Sequence, residues 1–332
     1  MSNSWRRLIS SISSVDSELP YNWNWQRRWT EADKFLEANP ILLMDVGARG
    51  SAPPEFESMR RHVRRIGFEP DPEECRNLNA GDQGTFFPTL IADQPGHQTL
   101  HLYRDRGISS VLNLSERYQR LWIGEMPVDA TYESVAITID GFLSEHFELS
   151  PDFLKLDTQG SELAILRGAK DALRRIGLVE VEVEFVEMYE GQPLFVDVVQ
   201  LMTNEGFELL YLNRVFATRK QIYRGPSRGQ LVFADALFGK REDRTEDLTL
   251  EQLAKYAILL CQYGHVDIAC QLTQESPKIL EIVPGLNSVF RRRANLFSRA
   301  VSMQFDKLLS LGLHLRRYNQ RGTDSDRSWP IR

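Results

Sequence analysis

The chain has 332 residues, of which 42% are hydrophobic and 26% are charged, and its formal net charge is −6. This composition excludes a disordered or fibrous chain, predicts two domains, and weighs against nonspecific nucleic-acid binding, which needs surplus basic charge. No apolar run reaches the ~18 residues that span a bilayer, no signal peptide is evident, and the three cysteines lack disulfide or zinc spacing, so we expect a cytoplasmic globular protein.

Residues 1–39 form a polar extension with scattered tryptophans. The apolar residues that share one face at helical spacing are Trp5, Leu8, Ile9 and Ile12. A short amphipathic helix of this kind docks on the body of a protein, or it serves as an arm for a membrane surface or a partner. The pattern favours docking and leaves the second alternative open.

Residues 40–240 alternate strand-like and helix-like stretches. The predicted strands are 41–46, 65–69, 86–92, 152–157 and 178–185, and the predicted helices between them include 71–79 and 161–176. Two hairpin-like pieces at 97–104 and 132–139 interrupt the alternation, and closing strands are predicted at 204–212 and 229–238. Strands that alternate with helices indicate an α/β fold with a parallel sheet.

Residues 241–332 form a C-terminal helical region. After a charged linker, residues 250–273 predict two short helices broken at Gly264, a pattern like a single tetratricopeptide-type hairpin. A longer helix is predicted over 288–316, followed by a polar tail from Asn319.

A glycine turn, Asp45-Val46-Gly47-Ala48-Arg49-Gly50, follows the first predicted strand. Glycine leaves bare backbone for a ligand, and open α/β sheets bind ligands beyond the carboxyl ends of their strands. Alone, the turn is a weak signal, because a tight loop needs the same glycines. Glu69 ends the next strand, where a carboxylate can accept two hydrogen bonds from a ribose diol. The two features together predict a ribose-containing ligand.

A third motif, Lys155-Leu156-Asp157-Thr158-Gln159-Gly160-Ser161-Glu162, ends the fourth predicted strand. Asp157 closes this strand, so we expect it to point into the same crevice as Gly47 and Glu69. A structural alternative makes Asp157 a helix-capping acid, and Ser161 is a candidate cap for the next helix. The glutamine and glycine that follow Asp157 are poor choices for packing alone, which favours a functional interpretation.

These motifs, with Phe68-Glu69-Pro70 and Tyr189-Glu190-Gly191-Gln192-Pro193, resemble the FkbM family of S-adenosylmethionine-dependent methyltransferases. The similarity spans residues 41–235 in the family's order, and Lys-x-Asp-x-Gln-Gly-x-Glu is its most specific part. The resemblance implies a class I methyltransferase fold, which is a seven-stranded, mostly parallel sheet with one reversed strand. It also implies O-methylation of a hydroxyl, often on a sugar or a polyketide-like product.

Carried onto this chain, the resemblance places the methionine part of the cofactor at Gly47, its ribose at Glu69 and its adenine near Asp93, with a serine loop at Ser109-Ser110. The residues assigned to cofactor binding are Asp45, Gly47, Ala48, Arg49, Gly50, Glu69, Asp93, Ser110 and Gln159. Arg49 stands where the family usually has asparagine. It can grip the cofactor carboxylate or order the loop through Glu55 or Glu57.

Methyl transfer to a hydroxyl needs a group that accepts the hydroxyl proton. Asp157 is the first candidate base, because its strand end faces the expected crevice, and Glu184 on the neighbouring strand is the second. Glu180 and Glu182 alternate with Glu184 along that strand. A divalent metal on Asp157, Glu184 and a water is an alternative by donor chemistry, but no ligand spacing requires it.

Two rival functions stay open at this point. A nicotinamide-dependent dehydrogenase also uses a glycine turn and a ribose-binding acid, but this turn lacks the full Gly-x-Gly-x-x-Gly spacing. A catalytically silent methyltransferase-like module could instead bind a partner through its C-terminal helices. The expected acceptor is a small molecule or a glycan, and a glycan predicts exposed aromatic side chains near residues 109–132, such as Trp122 or Tyr132.

Overall fold

The computed structural model describes residues 30–50, 52–81, 84–219, 229–290 and 324–325. The predicted N-terminal amphipathic helix, nearly all of the predicted helix over 288–316 and most of the polar tail lie outside these residues. In chain order the described strands are β1 (Ile41–Val46), β2 (Val63–Phe68), β3 (Thr85–Phe87), β4 (Leu90–Ile91), β5 (Gly96–Tyr103), β6 (Val128–Ile137), β7 (Phe153–Leu156), β8 (Leu178–Glu184), β9 (Phe207–Ala217), β10 (Gln230–Lys240) and β11 (Asp324–Ser325).

The main sheet has the strand order β11-β9-β10-β8-β7-β1-β2-β3. Neighbouring strands from β8 to β3 pair in parallel, whereas β10 is antiparallel to both β8 and β9. Apart from the two-residue edge strand β11, the sheet therefore has seven strands with β10 as the reversed one. This is the class I methyltransferase arrangement, and the prediction of the fold is confirmed.

The chain changes direction across the sheet between β1 and β7. From β1 it moves outward through β2 and β3, whereas β7 pairs on the other side of β1 and leads to β8. In an open α/β sheet such a switch point leaves a crevice beyond the carboxyl ends of the two strands. The glycine turn after β1 and Asp157 after β7 both lie at this crevice.

A second, three-stranded sheet has the order β4-β6-β5. The hairpin-like pieces predicted from the sequence form β5 and β6, which pair with each other antiparallel. The single strand predicted over 86–92 is wrong, because Thr85–Phe87 joins the main sheet and Leu90–Ile91 joins the small one. Pro88 lies between them, and its missing N–H cannot continue a ladder.

The described α-helices are α1 (Thr30–Ala38), α2 (Pro72–Ala80), α3 (Glu116–Tyr118), α4 (Ile139–Glu145), α5 (Glu162–Arg167), α6 (Lys170–Arg175), α7 (Phe195–Asn204), α8 (Leu250–Gln262), α9 (Val266–Glu275), α10 (Lys278–Ile282) and α11 (Gly285–Phe290). Short 3₁₀ segments cover Pro54–His62, Arg106–Ile108 and Glu242–Arg244, and a π-helical turn covers Gln119–Ile123. The helix predicted over 161–176 is two helices, which Gly168 and Ala169 separate. The chain passes close to the end of β4 there, since a Cβ at Gly168 would lie 2.5 Å from the Ala92 carbonyl oxygen.

Helices cover both faces of the main sheet. One face packs against α4 to α7, through residues such as Phe142, Leu166 and Met202. The other face packs against α1 and α8 to α11, and here Leu43 and Phe153 of the sheet meet Ile258. The break predicted at Gly264, which has φ +87°, separates α8 from α9. The C-terminal helices thus share a core with the sheet.

A buried ion pair joins α8 to the sheet. Lys255 Nζ lies 3.2 Å from Asp152 Oδ2, and the same carboxylate oxygen accepts the Leu42 N–H at 2.8 Å.

Among the helices that the structure describes, none is long and apolar enough to cross a membrane.

Candidate active site

A cavity of about 230 Å³ opens at the carboxyl ends of β1, β2 and β7. Its lining comes from the glycine turn, the end of β2, the small sheet and the loop after β7: Val46, Gly47, Arg49, Phe68, Glu69, Pro70, Thr89, Leu90, Ile91, Leu100, Leu102, Arg106, Gly107, Ser109, Val111, Asp157, Thr158, Gln159 and Ser161. The three segments singled out in the sequence, represented by Gly47, Glu69 and Asp157, therefore meet at one cavity.

Gly47 is where the ends of β1 and β7 touch. Its φ is +79°, and a Cβ at this position would lie 1.9 Å from the Asp157 carbonyl oxygen. No other residue type fits so close an approach in this backbone conformation. The N–H groups of Gly47 and Ala48 both donate to the Phe68 carbonyl, at 3.0 and 3.1 Å. The glycine thus fixes the loop between two strand ends.

Arg65 on β2 was not among the predicted site residues, but it holds the glycine turn in shape through its contacts with Asp45, Ala48 and Gly50. Its guanidinium is buried and pairs with the Asp45 carboxylate at 2.7 Å. It also donates to the carbonyls of Ala48 (2.9 Å) and Gly50 (3.0 Å). Asp45 therefore neutralises the arginine that shapes the turn. No local signal marks Arg65, because β2 carries Arg64 beside it and only the pairing of β1 with β2 decides which arginine is buried.

Glu69 lies in the cavity wall and is almost fully buried. Its Oε1 accepts the Asp71 N–H at 2.9 Å and lies 3.6 Å from Arg49 Nη2. Burial raises the pKa of Glu69 to about 7, although the Asp71 N–H and Arg49 oppose the shift. Among the described residues no hydrogen bond reaches Oε2 of Glu69.

Arg49 pairs with acids that the sequence analysis did not name. Its guanidinium lies 3.0 Å from Asp71 Oδ2 and 3.7 Å from Glu74 Oε2, both at the start of α2. It therefore ties the glycine turn to the acids that follow β2.

Asp157 is the carboxylate most open to the cavity, with 39% of its side chain exposed. Its Oδ2 lies 3.1 Å from Lys155 Nζ. Removal from solvent opposes ionisation, but Lys155 and hydrogen bonds from Glu182 and Gln159 lower the pKa of Asp157 to about 2. The group is therefore an ionised acceptor at neutral pH. It caps no helix, so the structural alternative for this residue is wrong.

The rest of the signature holds the loop after β7 in shape. The buried Glu162 carboxylate accepts the N–H groups of Thr158 (2.6 Å) and Gly160 (2.9 Å). Ser161 occupies the N-cap position of α5, but its hydroxyl donates to Thr158 Oγ1 at 2.8 Å and makes no capping bond. The signature thus builds a closed loop around Asp157.

Comparison with known proteins decides the family. Residues 45–209 match the model of the methyltransferase FkbM domain. The chain belongs to the FkbM methyltransferase family. It is also 27% identical over 186 residues to the 2-O-methyltransferase NoeI of Sinorhizobium fredii (strain NBRC 101917 / NGR234), an alignment that covers 53% of this chain and 76% of the relative. The family match to a methyltransferase replaces the dehydrogenase alternative.

Two solved structures are distant relatives of this FkbM-family chain. The methyltransferase FkbM of Methylobacillus flagellatus KT is 14% identical, with a TM-score of 0.33 and coverage of 59% of this chain and 44% of the other. Magnesium protoporphyrin IX methyltransferase (ChlM) of Synechocystis PCC 6803, solved with bound SAM, is 10% identical, with a TM-score of 0.30 and coverage of 65% and 80%. The likeness is too distant to add to the topology described above.

The family motif Tyr189-Glu190-Gly191-Gln192-Pro193 is built into the wall that faces the signature loop. Gln192 Oε1 accepts the backbone N–H groups of Met188 and Tyr189, which closes the motif on itself. The buried Tyr189 hydroxyl lies 3.0 Å from both the Ile108 carbonyl oxygen and Gln159 Oε1. The motif therefore connects the loop near residue 108 to the signature rather than entering the cavity.

Of the predicted site residues, Gly47, Arg49, Glu69, Asp157 and Gln159 line the cavity. The predicted residues that do not line it are Asp45, Ala48, Gly50, Asp93, Ser110 and Glu184.

Each of these six has a physical reason to lie elsewhere. Asp45 pairs with Arg65, and that arginine also donates hydrogen bonds to the carbonyl oxygens of Ala48 and Gly50. The Ser110 hydroxyl donates to the Gln159 carbonyl at 2.7 Å. Asp93 is exposed in a bend, because β4 ends two residues before it.

Glu184, the second candidate base, is 3% exposed. Burial and the neighbouring Glu162 raise the pKa of Glu184 well above its usual value, which disfavours the ionised form, and the residue does not line the cavity. In the part of the chain that the structure describes, no group of three or more His, Cys, Asp or Glu side chains is arranged to hold a metal ion.

Proposed function

We propose that this FkbM-family methyltransferase transfers a methyl group from S-adenosylmethionine to a hydroxyl of a carbohydrate or a similar natural product, with Asp157 accepting the hydroxyl proton. The observation that carries the proposal is the convergence of Gly47, Glu69 and Asp157 on one cavity at the switch point of the sheet. The cytoplasm is the proposed location, from composition alone.

The residues present fit the proposed cofactor. Glu69 offers a carboxylate oxygen that accepts no hydrogen bond from the described residues where a ribose diol would bind, and Gly47 offers bare backbone beside it. Glu69, Arg49 and the glycine turn would hold the adenosyl and methionine parts. The bound cofactor supplies an activated methyl group. The task of the chain is to position the acceptor, which can lower the barrier by about 7–11 kcal/mol.

The charge around Asp157 supports a neutral acceptor. The ionised Asp157 faces the cavity, and its only close cation, among the described residues, is Lys155 beneath it. An acidic acceptor such as a carboxylate would be repelled here, whereas a hydroxyl can donate its proton to Asp157. The relative named a 2-O-methyltransferase supports an oxygen acceptor as well.

Aromatic stacking gives no support for a glycan. Tyr118 and Trp122 are each 6% exposed and stack on each other, with ring centroids 5.4 Å apart. Tyr132 is half-buried on β6. The glycan proposal therefore depends on Asp157 and on the relative, not on open aromatic faces.

The proposal is tested by incubating the protein with S-adenosylmethionine labelled in the methyl group and a panel of neutral oligosaccharides, amines and carboxylic acids. We expect label in a neutral oligosaccharide, as a methyl ether that resists alkali and is located by NMR. Label confined to an alkali-labile ester or to an amine would contradict the proposal.

Replacement of Glu69 by glutamine is expected to weaken S-adenosylmethionine binding about tenfold to hundredfold, because hydrogen bonds to a charged acceptor are lost. The pH dependence gives a second readout. Since the pKa of Glu69 is about 7, wild-type affinity should rise as pH increases from 5 to 8, and the variant should lose this step. Calorimetric titration across that range measures both effects.

Glu69→Gln is also expected to change the free energy of unfolding, in a direction that the pKa shift determines. The pKa of Glu69 is raised from 4.5 to about 7, so its contribution to the free energy of unfolding is full below pH 4.5 and is lost as pH rises to about 7. The glutamine variant should therefore gain stability relative to wild type between these values. Glu73→Gln, an exposed acid on α2, is the matched control. Equal affinity of Glu69→Gln and wild type at pH 8 would remove Glu69 from the ribose site.

A further inference from the structure

The backbone of Gln159 has an unfavourable conformation, which neighbouring residues stabilise. Among the described residues it is the one non-glycine with positive φ, at 62°. Such a conformation costs about 1–2 kcal/mol for an L-residue. Its carbonyl accepts the Ser110 hydroxyl at 2.7 Å, which fixes the peptide in this orientation. In this conformation the Gln159 side chain contacts Asp157 at the end of β7.

Both the nitrogen and the oxygen of the Gln159 side-chain amide have hydrogen-bond partners. Nε2 donates to Asp157 Oδ1 at 2.9 Å and to Glu182 Oε2 at 2.5 Å. Oε1 lies 3.0 Å from the Tyr189 hydroxyl, which can donate to it. An amide nitrogen has two protons, so it can serve both carboxyl groups at once. The amide is thereby clamped between two acids and a buried phenol.

Asp157 and Glu182 are neighbours across two strands. They follow the cross-strand pair Leu156 and Val181 of β7 and β8, and the Gln159 amide nitrogen donates to one oxygen of each carboxyl group. Two carboxyl groups this close attract each other only when one is protonated and donates to the other, because two carboxylates offer no donor and repel.

The surroundings decide which group holds the shared proton. Asp157 lies beside the Lys155 ammonium and is 39% exposed, whereas Glu182 is 6% exposed. The acids that act on Glu182 are Asp157, Glu184 and Glu162, and Asp235 is its cross-strand neighbour on β10. Burial first, and then these acids, raise the pKa of Glu182 well above its usual value. Burial and charge therefore both favour a proton on Glu182 over one on Asp157.

We propose that Glu182 in its protonated form and Gln159 are positioning residues that hold the ionised Asp157 carboxylate toward the cavity, and that Tyr189 holds Gln159. This inference rests on the proposed function, in which Asp157 accepts the acceptor proton. Lys155 binds Oδ2 of Asp157, and Gln159 binds Oδ1. Each carboxylate oxygen keeps lone-pair capacity for the acceptor hydroxyl, in one fixed orientation.

The decisive comparison is Glu182→Gln against Glu182→Leu. Glutamine reproduces a protonated carboxyl, because it keeps one donor for Asp157 and one acceptor for the Gln159 amide, whereas leucine keeps neither. We expect the leucine variant to lose about tenfold to hundredfold in kcat, and the glutamine variant to recover at least tenfold of that loss. S-adenosylmethionine affinity should stay within about twofold in both. Equal loss in the two variants would overturn the proposal.

A spectroscopic test needs no acceptor and does not depend on the proposed function. In the infrared difference spectrum of ligand-free wild type minus Glu182→Gln at pH 7, we expect the carbonyl band of a protonated carboxyl group. A difference band of a carboxylate instead would overturn the protonated form of Glu182. If this band is present but hydroxyl acceptors are never methylated, the pairing stands and the proposed function fails.

A double-mutant cycle tests the link through Gln159. We expect Gln159→Leu to lower kcat about tenfold to hundredfold and Tyr189→Phe to lower it less. In the Gln159→Leu background, Tyr189→Phe should have little further effect, because the tyrosine acts through the amide. Additive losses, or losses that appear in cofactor affinity instead of kcat, would contradict this chain of contacts.

Discussion

Asp157→Asn is expected to lower the rate of methyl transfer by about 10²–10⁴-fold while leaving S-adenosylmethionine binding largely intact. Asparagine has the same shape and can still accept a hydrogen bond from Gln159, but it cannot take a proton. In the variant the Lys155 ammonium still has an acidic neighbour, because Asp45 Oδ1 lies 3.9 Å from Lys155 Nζ. We therefore expect the variant to fold.

The low pKa of Asp157 does not conflict with its role. A hydroxyl oxygen that has begun to bond to the methyl carbon carries positive charge and is a much stronger acid than a carboxylic acid. A carboxylate with a pKa of about 2 can accept that proton late in the reaction. Since this pKa lies well below 5, protonation of Asp157 should cause no loss of activity between pH 5 and pH 9.

Single-turnover rates with an accepted hydroxyl compound, together with calorimetric cofactor affinity, measure this prediction. Glu145→Gln, an exposed acid on α4, is the matched control for loss of one negative charge. Glu184→Gln should have a much smaller effect than Asp157→Asn, because Glu184 is 3% exposed and does not line the cavity. Full turnover in Asp157→Asn, or an equal loss in Glu184→Gln, would reassign the base.

Arg65→Met is expected to lower the free energy of unfolding by about 3–5 kcal/mol. The substitution leaves the buried Asp45 carboxylate without its guanidinium, and it removes the donors to the carbonyls of Ala48 and Gly50. Methionine fills a similar volume, so the loss reports the buried carboxylate left with only the more distant Lys155, at 3.9 Å, rather than a cavity. The glycine turn should also lose its fixed shape, which would weaken cofactor binding.

Urea unfolding measures the stability change, and Arg64→Met is the control, because Arg64 is the exposed neighbour on the same strand. The double variant Asp45→Asn/Arg65→Met should recover part of the lost stability, since it removes the buried charge that has lost its close partner. If Arg65→Met were no more destabilising than Arg64→Met, the buried pair would not be what supports the turn.

The fold could be predicted from the sequence where patterns are strong. The buried run at Ile41–Val46 and the valine-rich Leu178–Glu184 are strands as expected, and the reversed strand β10 followed from the family resemblance. The largely apolar stretch 86–92 predicts one strand, but it contributes to two sheets. Which sheet each half joins depends on pairing with β2 or β6, and such long-range contacts are not visible in local sequence.

The site residues that end strands could be predicted from the sequence, whereas the residues that hold them in place could not. Gly47, Glu69 and Asp157 end their strands at one edge, so position along the chain was enough to bring them together. The role of Arg65 depends on its reaching the loop above Asp45, and that of Gln159 depends on a positive φ. Neither a buried ion pair across two strands nor a strained peptide leaves a local signal in one sequence.

The central claim is that one cavity holds the adenosyl cofactor between Glu69 and Asp157. A crystal structure of the full chain with S-adenosylhomocysteine tests it most directly. We predict both ribose hydroxyls within hydrogen-bond distance of the Glu69 carboxylate, and the sulfur beside the glycine turn on the side that faces Asp157. Density for the ligand in another cavity, or with its sulfur turned away from Asp157, would contradict the account.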